Sequence, residues 1–100
     1  MKKYLVIGDP IEHSLSPLIH NYWIKKHGIA DSIYEKKKVE KEDLRSIVNQ
    51  VRNDELKGVN ITVPFKREII PFLDCLDNIA KKTQSVNTLC KVKNKVWGYN

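Results

Sequence analysis

The pattern of hydrophobic and polar residues at the start of the chain predicts a strand followed by a helix. Residues 3–8 form a short apolar run that is typical of a buried strand. A polar loop follows, and Ser16 is then suited to cap a helix that begins at Pro17 and ends before Gly28. The apolar stripe of this predicted helix consists of Leu18, Ile19, Tyr22 and Trp23.

The middle of the chain repeats this order. Residues 32–39 predict a weaker strand near a sheet edge, because their three consecutive lysines keep such an edge soluble. Residues 58–64 alternate between apolar and polar positions and predict a third strand, which Pro64 ends. A third helix is expected over residues 65–73. The second helix lies between these strands and is predicted from the helical spacing of Leu44, Ile47, Val48 and Val51.

The last part of the chain predicts a short helix near residues 77–83 and then two strands. These strands cover residues 86–92 and 95–99, and a turn at Lys93 and Asn94 joins them. Strands and helices that alternate in this way predict an α/β fold with a mostly parallel sheet and an antiparallel pair at its end. One hundred residues without repeats or a linker predict a single domain.

The charge of the chain limits the classes of partner. Lysine and arginine number 18 against 12 aspartate and glutamate residues, which gives a net charge of +6, and no acid follows Asp77. Such a surface can bind nucleic acid. No nucleic-acid-binding motif accompanies the lysines, so we interpret them as scattered solvated side chains and consider nucleic acid the weaker alternative.

Location and metal binding are inferred from what the sequence lacks. The longest apolar runs are too short for a bilayer span or a signal-peptide core. Cys75 and Cys90 form no CxxC pair, which argues against a disulfide scaffold and a zinc site. His20 and His27 would lie about 10 Å apart along a helix, too far for one metal. We therefore expect a cytoplasmic protein without membrane or metal contacts.

Polar residues that could bind a ligand cluster where the predicted strands end, and ligands of open α/β sheets bind there. Ser14 and Ser16 precede the first predicted helix, whose free N–H groups and positive dipole end suit a carboxylate or a phosphate. For this cluster alone the plainer interpretation is favoured, with Ser16 as a helix cap and Ser14 as a loop residue.

A second cluster consists of Asn60, Thr62 and Lys66. Their spacing places Asn60 and Thr62 on one face of the strand. Lys66 is expected in the first turn of the following helix, where the dipole disfavours an ammonium group and so suits a lysine that exchanges protons. A solvated lysine is an equally good interpretation of this position.

A third cluster, Asn87 and Thr88, places an amide and a hydroxyl at the start of a strand, and a strand that begins after a turn is its default interpretation. The four glycines are all isolated along the sequence. The chain therefore lacks a glycine-rich loop that could cradle a nucleotide pyrophosphate.

Six parts of the sequence form a longer pattern: residues 8–17 (GDPIEHSLSP), 20–21 (HN), 60–66 (NITVPFK), Ala80, 86–89 (VNTL) and 98–100 (GYN). Together they resemble the N-terminal, substrate-binding domain of the shikimate dehydrogenase family. The order and the intervals fit, and the resemblance covers residues 1–100 essentially end to end.

The resemblance implies a three-layer α/β sandwich with a mainly parallel sheet of about six strands and an antiparallel strand near the C-terminus. In the family this domain precedes a Rossmann domain that binds NADP(H). The family's reaction is the reversible reduction of 3-dehydroshikimate to shikimate in aromatic amino-acid biosynthesis. The substrate-binding residues that the resemblance implies are Ser14, Ser16, Asn60, Thr62, Lys66 and Asn87.

The resemblance also implies a role for each of these side chains. Ser14 and Ser16 would bind the substrate carboxylate. Thr62, Lys66 and Asn87 would hold the ring hydroxyls, and the neighbouring Asn60 would shape the same wall. Lys66 would also be the catalytic acid/base that exchanges a proton with the reacting oxygen.

The chain departs from the family pattern in two places. Gln84 and Ser85 stand where the family usually carries Gly-Ala. The sequence ends at Asn100, whereas the family's motif continues with Thr and the catalytic Asp. We therefore expect a fragment of an NADP-dependent oxidoreductase that binds no cofactor and does not turn over alone. The family's C-terminal helix normally covers this domain, so we expect exposed apolar surface and self-association.

Three alternatives stay open. A quinate/shikimate dehydrogenase domain would share much of this motif set. A stand-alone module that binds a small molecule would lack the family's later motifs in its gene. A basic nucleic-acid binder would show binding that weakens steeply with salt.

Overall fold

The computed structural model describes residues 2–8 and 32–100. Its centre is a six-stranded sheet in the order β2-β1-β3-β5-β6-β4. The strands are β1 Lys2–Gly8, β2 Ser32–Lys38, β3 Gly58–Ile61, β4 Cys75–Leu76, β5 Thr88–Val92 and β6 Lys95–Tyr99. The helices are α1 Leu44–Arg52, α2 Asn78–Thr83 and two 3₁₀ turns, Lys41–Asp43 and Ile70–Phe72.

The described strands confirm a mainly parallel sheet. β1 pairs in parallel with β2 and with β3, and β4 pairs in parallel with β6. β5 is antiparallel to both of its neighbours, β3 and β6, so it alone among these six strands runs in the opposite direction. The antiparallel pair predicted at the end of the chain is therefore also confirmed.

The main core lies on the face of the sheet that α1 covers. α1 is the second helix predicted from the sequence, and its apolar residues are buried as expected: Leu44, Ile47, Val48 and Val51. Their spacing brings all four side chains to one side of the helix. These side chains pack across alternate residues of the strands, where each fully buried Leu or Ile stabilises the fold by roughly 1.5–3 kcal/mol. The buried strand residues of this cluster are Leu5, Ile7, Val59, Ile61, Leu89 and Val96.

The opposite face of the sheet has a smaller apolar cluster and a polar line. Val6 and Tyr34 are buried there, and Tyr4 packs against them. Register pairs Val6 with Asn60 and Asn60 with Thr88, so these three residues share this face on neighbouring strands.

The predicted helix that begins after Ser16 lies outside the described residues. In the part of the chain that the structure describes, no helix has the length and hydropathy of a membrane span.

The helix predicted over residues 65–73 is wrong. One helical hydrogen bond forms, from the Ile69 N–H to the Phe65 carbonyl at 3.1 Å, and the chain then tightens into the 3₁₀ turn Ile70–Phe72. Pro71 lies inside the predicted range, and proline removes an N–H donor and clashes with the carbonyl four residues before it. The third strand also ends at Ile61 rather than at Pro64.

One additional strand and one further boundary differ from the sequence-based expectation. β4 was not predicted, because two residues are too few to show an alternating pattern. β5 begins at Thr88 rather than at residue 86. The predicted short helix is confirmed as α2, which Asp77 caps by accepting a hydrogen bond from the Ala80 N–H at 2.8 Å. The predicted final turn is also confirmed, because Lys93 and Asn94 both have positive φ, as a tight hairpin requires.

Candidate functional site

Thr62 lies at the carboxyl end of β3, directly beside the end of β1. Its N–H and its hydroxyl both donate to the carbonyl of Ile7, at 3.0 and 2.6 Å. A side-chain carbon on Gly8 would overlap the Thr62 hydroxyl, so only glycine permits this approach. Since the hydroxyl proton is already donated, Thr62 can offer a ligand only its oxygen lone pairs.

Asn87 is held between two strands at the same end of the sheet. Its carbonyl accepts from the Ile61 N–H at 2.8 Å, and its own N–H donates to the Tyr99 carbonyl at 2.8 Å. Ile61 is the residue between Asn60 and Thr62, so this pairing brings the second and third polar clusters of the sequence together. The antiparallel direction of β5 is the reason, because its first residues lie where β3 ends.

Lys66 belongs to the same region through its backbone. Its carbonyl accepts from the Val86 N–H at 2.8 Å, which places it beside the start of the segment that carries Asn87. Buried Phe65 precedes it, and the Phe65 N–H donates to the Thr62 carbonyl at 3.0 Å. Lys66 itself is half-buried. It lies in a turn, so the helix-dipole argument made for it from the sequence does not apply.

A chain of side-chain hydrogen bonds also links Asn60 to Asn87. The Tyr34 hydroxyl donates to Asn60 Oδ1, and Asn60 Nδ2 donates to Thr88 Oγ1 at 3.2 Å. Thr88 Oγ1 donates in turn to Asn87 Oδ1 at 3.1 Å. Burial raises the pKa of Tyr34 from its ordinary 10.0 to about 12, so its hydroxyl keeps its proton at neutral pH.

The structure thus brings together four of the six sequence-predicted site residues: Asn60, Thr62, Lys66 and Asn87. The other two, Ser14 and Ser16, lie outside the described residues. Sequence reasoning missed Tyr34, which lies on the second strand. The only signal was its place in a predicted strand, and a strand prediction cannot show which strand lies next to which.

Gln84 occupies the position where the sequence pattern departs from the family. It forms the C-cap of α2 with φ 52° and ψ 42°, the left-handed conformation that favours glycine. Its Nε2 donates to the Lys81 carbonyl at 2.8 Å. The helix therefore ends in a left-handed turn although the residue there is glutamine rather than glycine. The segment that follows still places Asn87 at the site.

Comparison with known proteins gives consistent matches. Residues 6–89 match the family model described as the shikimate dehydrogenase substrate binding domain. Shikimate dehydrogenase (NADP(+)) of Pelagibacter ubique is 50% identical over 99 residues, which cover 99% of this chain and 37% of that protein. The Bacillus subtilis protein of the same name is 46% identical over 101 residues, covering 100% of this chain and 36% of the relative.

Solved structures agree with these sequence matches. The crystal structure of shikimate 5-dehydrogenase from Thermus thermophilus in complex with NADP(H) and shikimate has a TM-score of 0.90 and 32% identity, and it covers 100% of this chain and 38% of that one. The chain thus spans little more than a third of the length of these relatives. From the matched residues and the fold together, the chain belongs to the family of shikimate dehydrogenase substrate-binding domains.

Proposed function

We propose that this chain binds shikimate and 3-dehydroshikimate, as the substrate-binding part of an NADP-dependent shikimate dehydrogenase. The observation that supports this most directly is the convergence of Asn60, Thr62, Lys66 and Asn87 at one end of the sheet. Shikimate is a polyhydroxylated carboxylic acid, so its recognition needs several donors and acceptors close together. The Thermus thermophilus relative is described in complex with shikimate, which supports the same assignment.

The proposed roles follow from the hydrogen-bonding capacity of each group. Thr62 accepts a hydrogen bond from a ring hydroxyl, because its own proton is donated to Ile7. Asn87 donates an N–H to a ring oxygen. Lys66 gives a proton to the reacting oxygen when the ketone is reduced and takes it back when the hydroxyl is oxidised. Ser14 and Ser16 bind the carboxylate in this proposal.

The residues that the structure describes do not fit the pyrophosphate of NADP. A phosphate cradle needs open space beside glycines. Side chains occupy the space beside each described glycine: Thr62 at Gly8, Tyr4 at Gly58 and Leu73 at Gly98. We therefore propose that other parts of the enzyme hold the cofactor, as the longer relatives suggest.

Titration of the 100-residue chain with shikimate tests the binding proposal. We expect saturable shifts of the backbone amide signals of Asn60, Thr62, Lys66 and Asn87 in ¹⁵N-labelled protein. Asn87→Ala should weaken the affinity, whereas the exposed Asn53→Ala serves as a matched control that should not. Quinate in a parallel titration measures the preference between the two acids. Absence of any saturable shift with millimolar shikimate would contradict the proposal.

Two further expectations accompany this function. The expected location is the cytoplasm, supported by two cysteines, Cys75 and Cys90, that are free thiols. Self-association of the chain stays a prediction, and sedimentation over a range of concentrations measures it. A clean monomer at high concentration would contradict it.

A further inference from the structure

We propose that Tyr34 is a positioning residue that fixes the side-chain amide of Asn87 for the ligand. It acts through two intervening side chains, Asn60 and Thr88. The inference rests on the proposed function, because it assigns Asn87 an N–H that faces the substrate.

Strand order and register make this connection possible across four strands: β2, β1, β3 and β5. Tyr34 lies on β2, whereas Asn60 lies on β3, with β1 between them. The Tyr34 side chain clusters with Val6 of β1, and its hydroxyl reaches across β1 to Asn60. Asn60 in turn lies directly opposite Thr88 of β5. Tyr34, Asn60 and Thr88 therefore form one continuous line on the face of the sheet opposite α1, and Asn87 directly precedes Thr88 in the chain.

The orientation of the Asn60 amide follows from a group that can only accept. Asn60 Nδ2 lies 3.5 Å from the backbone carbonyl of Asn87, and a carbonyl oxygen has no proton to give. The NH₂ end of Asn60 must therefore face β5, and its Oδ1 must face β2. Oδ1 needs a donor there, and the protonated hydroxyl of Tyr34 supplies it.

The orientation of the Asn87 amide follows from the next link. Thr88 Oγ1 accepts from Asn60, so its own proton is available and is donated to Asn87 Oδ1. The NH₂ end of Asn87 then points away from Thr88. One of its N–H groups donates to Asn100 Oδ1 at 3.1 Å.

The hydrogen bonds at the other end of the line, which involve Asn100 and Thr83, run in the same direction. The Thr83 hydroxyl donates to the Ile79 carbonyl at 2.8 Å, which can only accept. Thr83 Oγ1 must therefore accept from Asn100 Nδ2, at 2.9 Å, and the Oδ1 of Asn100 is left for Asn87. The Ile79 carbonyl at this end thus favours the same direction of the hydrogen bonds as the Tyr34 hydroxyl at the other end.

The consequence for recognition is that Asn87 has one N–H left. Its other N–H is bonded within the protein and its Oδ1 already accepts from Thr88, so the N–H that is left for a ligand needs an accepting oxygen. A hydroxyl oxygen and a ketone oxygen both accept. The same fixed amide can therefore bind the alcohol and the ketone form of a substrate without rotating.

Tyr34→Phe tests the proposal because it removes one hydroxyl from the start of the line. Tyr4→Phe is the matched control: its ring packs in the same cluster, and its hydroxyl is not part of the line. Without any ligand, we expect Tyr34→Phe to shift the side-chain NH₂ signals of both Asn60 and Asn87. Unchanged Asn87 NH₂ signals in the folded Tyr34→Phe variant would overturn the proposal.

Shikimate affinity provides the second readout. Loss of one ordinary hydrogen bond corresponds to about 2- to 12-fold in an equilibrium constant, and we expect Tyr34→Phe to raise the Kd by about 2- to 5-fold because it acts indirectly. In an Asn87→Ala background the same substitution should have no further effect. An equal loss in both backgrounds would indicate a general structural role and contradict the proposal.

The two readouts separate this inference from the proposed function. If wild-type protein fails to bind shikimate, the proposed function is wrong, while the ligand-free NH₂ signals still decide whether Tyr34 orients Asn87. If binding in the Asn87→Ala background is too weak to measure, the same ligand-free signals decide the question. If shikimate binds but the signals do not respond to Tyr34→Phe, only the positioning role is wrong.

Discussion

Gly8 and Thr62 approach so closely at the end of β1 that a side-chain carbon on Gly8 would overlap the Thr62 hydroxyl oxygen. The Thr62 hydroxyl is held at this point because it donates a 2.6 Å hydrogen bond to the Ile7 carbonyl. The last residue of a buried strand therefore determines where a proposed substrate-binding side chain lies.

Gly8→Ala should displace Thr62 and weaken shikimate binding. Inserting a methyl group into a filled space typically costs about 1–3 kcal/mol, so the free energy of unfolding should fall by a similar amount. Urea unfolding and a shikimate titration measure the two effects. Gly58→Ala is the control, because its new carbon would meet the Tyr4 ring and the Leu89 carbonyl but not Thr62, and it should reduce stability without changing affinity. Equal effects of both substitutions on affinity would contradict the link to Thr62.

Lys66→Ala, in a full-length enzyme that carries this sequence, should reduce kcat more than it changes the KM for shikimate. Proton transfer matters chiefly in the transition state, and acid/base groups contribute about 100- to 10,000-fold. Steady-state kinetics measure both constants. The adjacent, exposed Arg67→Ala should retain kcat and controls for loss of positive charge. A folded Lys66→Ala enzyme with near wild-type kcat would show that this lysine is not the acid/base.

Stability should fall at alkaline pH because Tyr34 must stay protonated in the fold. Burial raises its pKa from 10.0 to about 12, so the folded state holds the proton more tightly than the unfolded chain. The resulting stabilisation is fully present below pH 10 and is lost as the pH rises through about 12. Urea midpoints of wild type and Tyr34→Phe over this range isolate the effect, since other groups titrate in both proteins. Parallel curves for the two proteins would contradict it.

Asp74 should contribute stability that disappears in acid. The Val96 N–H donates to Asp74 Oδ2 at 2.8 Å, and Arg52 Nη2 lies 3.2 Å from the same oxygen. The backbone hydrogen bond is the larger cause and the Arg52 contact the smaller, and together they lower the pKa of Asp74 below 3.8. The contribution is therefore present above pH 3.8 and lost as the pH falls through the lower, folded-state value.

Asp74→Asn measures that contribution, because asparagine keeps an acceptor for Val96 but loses the charge. Since the side chain is about one-third exposed, solvent screening limits the expected loss at neutral pH to roughly 0.5–1 kcal/mol. The difference from wild type should shrink as the pH falls below 3.8. Glu42→Gln, at an exposed position, serves as the control. A difference that stays constant with pH would rule out this carboxylate as its source.

Substitutions at Gln84 should separate its backbone conformation from its side-chain bond. Gln84→Gly and Gln84→Ala both remove the bond to the Lys81 carbonyl, but only glycine is relaxed at φ 52°. The left-handed conformation costs an ordinary residue about 1–2 kcal/mol, and the flexibility of glycine in the unfolded chain offsets part of this. Thermal unfolding should therefore show the Gly variant more stable than the Ala variant by about 0.5–1 kcal/mol. Equal stabilities would mean that this turn relaxes in the Ala variant.

Several elements could be predicted from the sequence because their signals are local. The buried strand β1, the helix α1 and the hairpin at Lys93 and Asn94 each depend on periodicity or turn residues within a short window. The family resemblance, rather than any local signal, indicated Asn60, Thr62, Lys66 and Asn87 as one group. A local signal can mislead too, as in residues 65–73, where Pro64 was expected to let a helix begin that Pro71 prevents.

Tertiary structure alone decided how these residues meet. Asn60 and Asn87 become neighbours because β5 runs antiparallel beside β3, a pairing that no local pattern encodes. Tyr34 contacts Asn60 across 26 residues of sequence, and that contact exists only because β1 lies between β2 and β3 in a particular register. Strand order and register depend on the burial of whole faces of the sheet against the core. Residue types and their spacing were therefore readable from the sequence, whereas the direction of the hydrogen bonds that orient Asn87 was not.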